Sequence, residues 1–318
     1  MPVQALHGQT MGTTWSVQFH TGTRIDLHAL HDSVQACLDR VVAQMSTWEA
    51  ESDIRRYNRS AGGEWFPLPD EFHHVLAAAL DVAAASDGAY DPTVSPLVAA
   101  WGFGADAGAR AVPRQDELQA ARARVGWHRL SLDVGTQRLL QPGDVALDLS
   151  AIAKGYGVDE VAALLRRRGI PAALVEVGGE LYGYGTKPDG QPWRVLVESS
   201  PDEEADSHEL EPRVLLLDGI AVATSGDRWH GFEQEGRRYS HTIDPRTGEP
   251  VAHAAAAVTV VAGDAMHADA WATALTVMGA EQGHAFALQR GLAARFLQRT
   301  RTGLRETLTP AFERHLAT

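Results

Sequence analysis

The stretch 145–178, VALDLSAIAKGYGVDEVAALLRRRGIPAALVEVG, decides how the fold is read. Its first five residues predict a short strand, 152–168 carry helical periodicity, and AALVEVG (172–178) is a second apolar strand. Strand, helix, strand could begin a doubly wound parallel sheet, but the flanking sequence does not keep that beat. TTWSVQFH (13–20) alternates like a strand, 26–45 is helical, and a second helix over 70–86 ends at the turn DGAYDP. Further strands fit 193–198, 213–217, 220–224 and 256–262. A helix then runs through 267–275, and another lies near 280–290. The expected class is therefore α+β: a single compact unit over 1–318, with a mixed or antiparallel sheet and interspersed helices. The chain shows no internal repeat and no clean linker.

Bulk properties exclude several functions. The 318 residues are 44% hydrophobic, enough for a sizeable core, and carry a net charge of −13. So acidic a chain is a poor nucleic-acid binder. The one cysteine, Cys37, rules out a disulfide framework or a Cys-rich metal site. No run approaches the length of a membrane span, and the start, MPVQALHGQTMGTTWSV, lacks both a signal pattern and a lipidation cysteine. As written, the chain is expected to be cytoplasmic; a trimmed N-terminus would make it periplasmic or membrane-anchored. The segment SSPDEEADSHELEP (199–212), with six acids and no Lys or Arg, reads as a solvated loop.

Chemistry concentrates in a few segments. In LDLSAIAKGYGVD (147–159) a turn leads into a helix at Lys154, where free backbone N–H groups and an ammonium suit phosphate, with Asp148 as an acceptor close by. Gly155 and Gly157 keep that helix start open to close approach. The alternative is a surface lysine on a first turn. Gly178-Gly179 is either a bulge or a place where a ligand rests on the backbone. ATSGD (223–227) offers Thr224 and Ser225 at a strand end, where hydroxyls can meet phosphate. In SHTIDPRTG (240–248), Asp244 is turn chemistry, while His241 is either a core histidine or a base. Trp48 is either core or a flat wall for a ring system.

HADAWATAL (267–275) puts Asp269 and Thr273 one helical turn apart, with Ala265, Ala272, Thr276 and Ala280 on or beside their face. Trp271, Leu275 and Met278 point the other way. An ordinary amphipathic helix would turn this polar side to water, yet the face has no Lys, Arg or Glu. Two oxygens one turn apart can also share a hard cation such as Mg²⁺.

In order, MGTTWSV, MSTWEAESDIRRYN, DGAYDPTVSPLVAAWGFG, LDLSAIAKGYGVD, LVEVGGELYGYG, ATSGD, YSHTIDPRTGEPV and HADAWATAL resemble the ApbE family of FAD:protein FMN transferases, from about residue 8 to 280. The resemblance implies that a threonine hydroxyl in the flavinylation motif of an acceptor flavoprotein attacks FAD, the substrate. FMN stays attached as a phosphoester and AMP leaves. It implies Mg²⁺ held by Asp269, Thr273 and the carbonyl of Ala151. It places FAD against Met11, Trp48, Ala89, Tyr90, Asp91, Asp148, Lys154 and the 241–243 strand, including Ile243. Gly178, Gly179 and Ser225 join this set as phosphate-side candidates, and His241 is the candidate general base. The family commonly has Tyr where this chain has Trp48, which keeps a stacking surface but loses a phenolic hydrogen bond. The same site could instead hydrolyse FAD to FMN and AMP, or bind FAD without catalysis.

Overall fold

The computed structural model describes residues 2–197, 210, 213–226, 231–251, 257–300 and 303–317. Apart from Leu210, the acidic segment 199–212 lies outside the described residues. By internal contacts the chain divides into two compact units. One comprises Met1–Arg40, Lys154–Gly226 and Ala255–Thr318; the other comprises Val41–Ala153 and Asp227–Ala254.

The first unit is built on an eight-stranded sheet. Its strands are Gln4–Thr10, Thr13–His20, Ala172–Val177, Glu180–Tyr184, Ile220–Gly226, Ala257–Ala262, Ala293–Thr300 and Gly303–Leu308. They lie side by side in chain order, and every neighbouring pair is antiparallel. The class is α+β, as expected. Alternation then sorts the side chains. Trp15, Val17, Phe19, Ala173, Val175, Val177, Ala221 and Ala223 pack in one core with Leu30, Val34 and Leu38, with Val158 and Val161, and with Ala265 and Ala268. Their alternates Ala172, Leu174 and Val222 pack in another core with Trp193, Leu215, Leu217 and Phe312. Burial on both faces explains why AALV (172–175) reads as a continuous apolar run.

Besides Leu27–Met45, two helices stand over the first of these cores, Ala153–Arg167 and Ala265–Arg290. The second has a non-helical residue at Gly279 (φ 79°), which accounts for the separate helix expected near 280–290. Its first half is buried nearly all round, Thr276 as fully as Leu275, so the reading of a face turned to water fails. Thr276 satisfies its hydroxyl by donating to the Ala272 carbonyl at 2.8 Å.

The two helices meet at Gly155. A Cβ there would lie 2.1 Å from the Ala265 carbonyl oxygen. What the missing side chain admits is the neighbouring helix backbone, where the sequence suggested room for a ligand. Asp159, one turn further on, accepts the N–H groups of Ala265 and Met266 at 2.8 and 2.9 Å. It thereby caps the second helix from the first.

The second unit contains the helices Asp53–Arg59, Asp70–Ala85, Ser95–Ala100 and Gln115–Arg122, and a three-stranded sheet of Trp65–Pro67, Arg138–Leu140 and Ser131–Asp133. Residues 145–149 also fall here, and they are not a strand. Their backbone is satisfied by amide side chains instead of a ladder. Asn58 both donates to and accepts from Leu147, at 3.0 and 2.7 Å, Gln141 donates to the Val145 carbonyl, and Asp148 donates its N–H to the Pro92 carbonyl. Apolar alternation marked the burial of this stretch correctly and could not reveal those partners.

Gly155→Ala should destabilise the protein by roughly 1–3 kcal/mol, because the added methyl meets backbone that cannot swing away. Denaturant unfolding measures it; an unchanged midpoint would mean the helices do not meet this closely in solution.

Candidate active site

One end of the large sheet carries two tight turns. Met11-Gly12 joins the first two strands, with φ of 49° and 71°. Gly178-Gly179 joins Ala172–Val177 to Glu180–Tyr184, with φ of 60° and 102°. Two positive φ values in a two-residue loop make each a twisted hairpin turn, neither a bulge nor a loop shaped only by a ligand. Gly178 has a second constraint: a Cβ would come within 2.8 Å of Thr13 Cγ2 and 3.3 Å of Lys154 Cδ. The glycine makes room for the lysine stem.

Lys154, at the start of its helix, ends between two carboxylates. Its Nζ lies 3.2 Å from Glu180 Oε1 and 3.6 Å from Asp269 Oδ2. Asp269 Oδ2 also accepts the Gly155 N–H at 3.2 Å. Both acids are buried, at 3% and 4% exposure, while 28% of the lysine side chain reaches solvent. Two acids against one base leave an excess negative charge in a site where charge is costly.

Titration behaviour follows. Burial raises the Glu180 carboxyl above its ordinary range, against the pull of Lys154 and with Asp269 adding to the rise. Asp269 is also raised by burial, against the pull of Lys154 and the Gly155 N–H. Burial works against the Lys154 charge, but the two carboxylates outweigh it and hold the ammonium protonated. Asp159 is pushed up to about 7 by burial, opposed by its two backbone N–H partners.

These groups suit a hard divalent ion. The donors are carboxylate oxygens, the acids outnumber the base, and among the described residues Glu180 Oε2 is buried with no hydrogen-bond partner. Thr273 is half-buried one turn beyond Asp269. Among the described residues no three His, Cys, Asp or Glu cluster to cage a metal. An ion here must complete its shell with a hydroxyl, a backbone carbonyl, water or substrate, which is the habit of Mg²⁺ at phosphates.

Other expected residues take varied positions. Met11 packs against the helix-covered core of the first unit. Ser225 lies on the strand Ile220–Gly226, paired with Val258, beside a Thr224–Thr259 hydroxyl contact of 2.9 Å. In the second unit, Trp48 is 71% exposed, so it is a free aromatic face and not core. Ala89 and Tyr90 are buried. Asp91 accepts from the Thr93 N–H and hydroxyl on one oxygen and from the Trp127 N–H on the other, so both oxygens hold the local turn. Asp148 accepts the Ser150 N–H at 2.8 Å, and Ala151 sits in the turn just before the Lys154 helix. His241 is half-buried with its ring 6.4 Å from that of Phe103, edge to face, and Ile243 is core, bridged to Pro250.

Sequence reasoning missed Glu180 and the role of Asp159. For Glu180 the available signal was an acid directly after a Gly-Gly pair inside an otherwise apolar run. Asp159 carries no such mark, since its partners lie more than 100 residues away.

A model of the ApbE family matches residues 11–296. The FAD:protein FMN transferase of Vibrio cholerae is 38% identical over 320 residues, covering 99% of this chain and 94% of that protein. The crystal structure of the apo flavinyl transferase ApbE of Pseudomonas stutzeri is 40% identical with a TM-score of 0.90, covering 98% of this chain and 96% of that one. A flavin transferase ApbE structure from Vibrio cholerae gives 36% identity and a TM-score of 0.89, over 99% and 100% of the two chains.

Proposed function

This chain belongs to the ApbE family, and from that premise we propose that it is an FAD:protein FMN transferase. The substrates are FAD and a threonine of an acceptor flavoprotein. The threonine oxygen bonds to the FMN phosphorus of FAD, the bond from that phosphorus to the AMP oxygen breaks, and AMP departs. The single observation that carries the reading is the buried cluster of Lys154, Asp269 and Glu180, two acids on one base.

Pyrophosphate cleavage needs charge neutralised on the transferring and leaving oxygens and an in-line approach. Asp269 and Thr273, with the carbonyl of Ala151, are the proposed seat of Mg²⁺. Bound there, Mg²⁺ would offset charge developing on the phosphate oxygens. Lys154 directs an ammonium at the same phosphates. Trp48 presents an open ring for the isoalloxazine, and Met11, Ala89, Tyr90, Asp91, Asp148 and Ile243 are the remaining proposed contacts to FAD. Gly178, Gly179 and Ser225 belong to the phosphate side. His241 is the proposed base that takes the threonine proton, since an unassisted hydroxyl is a weak nucleophile. The whole of 1–318 acts as one transferase domain in this reading. No helix among the described residues is long and apolar enough to cross a membrane.

The test combines the protein with FAD, Mg²⁺ and a tagged peptide carrying an acceptor threonine. Mass spectrometry should find an FMN-sized adduct; free FMN with AMP and no adduct would identify a pyrophosphatase instead. Asp269→Asn should lower transfer by roughly 100-fold or more, the scale of losing a charge-stabilising group at a transition state, and undiminished transfer would remove Asp269 from the metal seat. His241→Ala should keep FAD affinity while losing transfer. Lost affinity with normal residual chemistry would make His241 a recognition residue.

A further inference from the structure

The two carboxylates beside Lys154 are not equivalent. Nζ is nearer Glu180 Oε1, at 3.2 Å, than Asp269 Oδ2, at 3.6 Å. Glu180 is fixed by its backbone as the first residue of a strand after the Gly178-Gly179 turn, paired with Val177. The lysine stem runs past Gly178, which has no side chain to deflect it. Asp269 has another donor in Gly155, on the same oxygen that Lys154 approaches. The ammonium therefore leans on the acid that the proposed metal seat does not use.

We infer that Glu180 is a positioning residue that holds the Lys154 ammonium and so keeps Asp269 available to a divalent cation. The inference rests on the metal site of the transferase reading. A lysine beside Asp269 alone would cancel that carboxylate's charge and compete with any cation for it. With Glu180 as its first counter-ion, the same lysine stays in the site, ready for a phosphate, while Asp269 keeps most of its charge. Glu180 could not be replaced by a neutral residue without turning Lys154 into a competitor.

A direct metal ligand and a positioning residue respond differently when Lys154 is removed. Mn²⁺ is titrated into FAD-free protein with the free ion read by electron paramagnetic resonance, for the wild type, Glu180→Gln, Lys154→Gln and the double variant. Melting curves establish folding. Glu180→Gln should weaken Mn²⁺ binding about fivefold or more with Lys154 present, and by less than about twofold in the Lys154→Gln background. Should Glu180→Gln not fold, Glu180→Asp, which withdraws the carboxylate from Nζ, should show a smaller loss with the same dependence on Lys154. Equal loss in both backgrounds, or no loss in either, would overturn the positioning role while leaving the metal seat intact. Absence of any Mn²⁺ binding by the wild type would overturn the metal reading and this inference together.

Discussion

Two buried carboxylates share one ammonium, and the rest of the first unit is arranged so that they can. Isolated, either acid would lose several kcal/mol on leaving water or would simply take up a proton. Their burial is tolerable because Lys154 enters from a helix start, Gly155 contributes an N–H, and the surrounding elements are locked by close contact. Gly155 brings the two helices together, and Asp159 fixes where the second one begins. Each acid thus depends on a glycine: Asp269 on Gly155, and Glu180 on the turn that Gly178 makes possible.

The sheet explains why this cluster sits where it does. A strand order that follows the chain puts the turns at 11–12 and 178–179 at the same end, because Trp15 pairs with Val177 and the Gly178 N–H donates to the Thr14 carbonyl at 3.1 Å. Burial on both faces makes the sheet a rigid platform, since each face has its own apolar core. Functional groups held at the end of such a platform need little ordering when a substrate arrives.

How much of this was legible depends on distance along the chain. Asp269 and Thr273 stood out because a helix turns spacing into adjacency, and the absence of Lys, Arg and Glu around them was visible in nine residues. Lys154 was legible for the same local reason. Glu180 was not, because its meaning comes from Lys154, 26 positions earlier, which no local pattern encodes. VALDL failed in the other direction: its alternation was real, but Asn58 and Gln141 satisfied the backbone that a strand would have paired. Trp48 was ambiguous until its exposure excluded the core reading. The two positive φ values of Gly178-Gly179 make the pair a hairpin turn and exclude a bulge.

The sign of the cluster bears on the order of events in the proposed reaction. An acidic chain meeting a diphosphate begins with repulsion, and the cluster itself carries two negative charges against one positive. Lys154 alone cannot attract the phosphates strongly while its ammonium is shared between two carboxylates at 3.2 and 3.6 Å. In the proposed reaction a divalent ion would change this, adding positive charge where two acids face one base. Affinity for the substrate is then coupled to the ion rather than built permanently into the protein. A site made basic by extra lysines would bind the same diphosphate without metal, and would hold the departing AMP by the same charges. In the proposed reaction, an acid in excess of the base would make the cation a condition of binding.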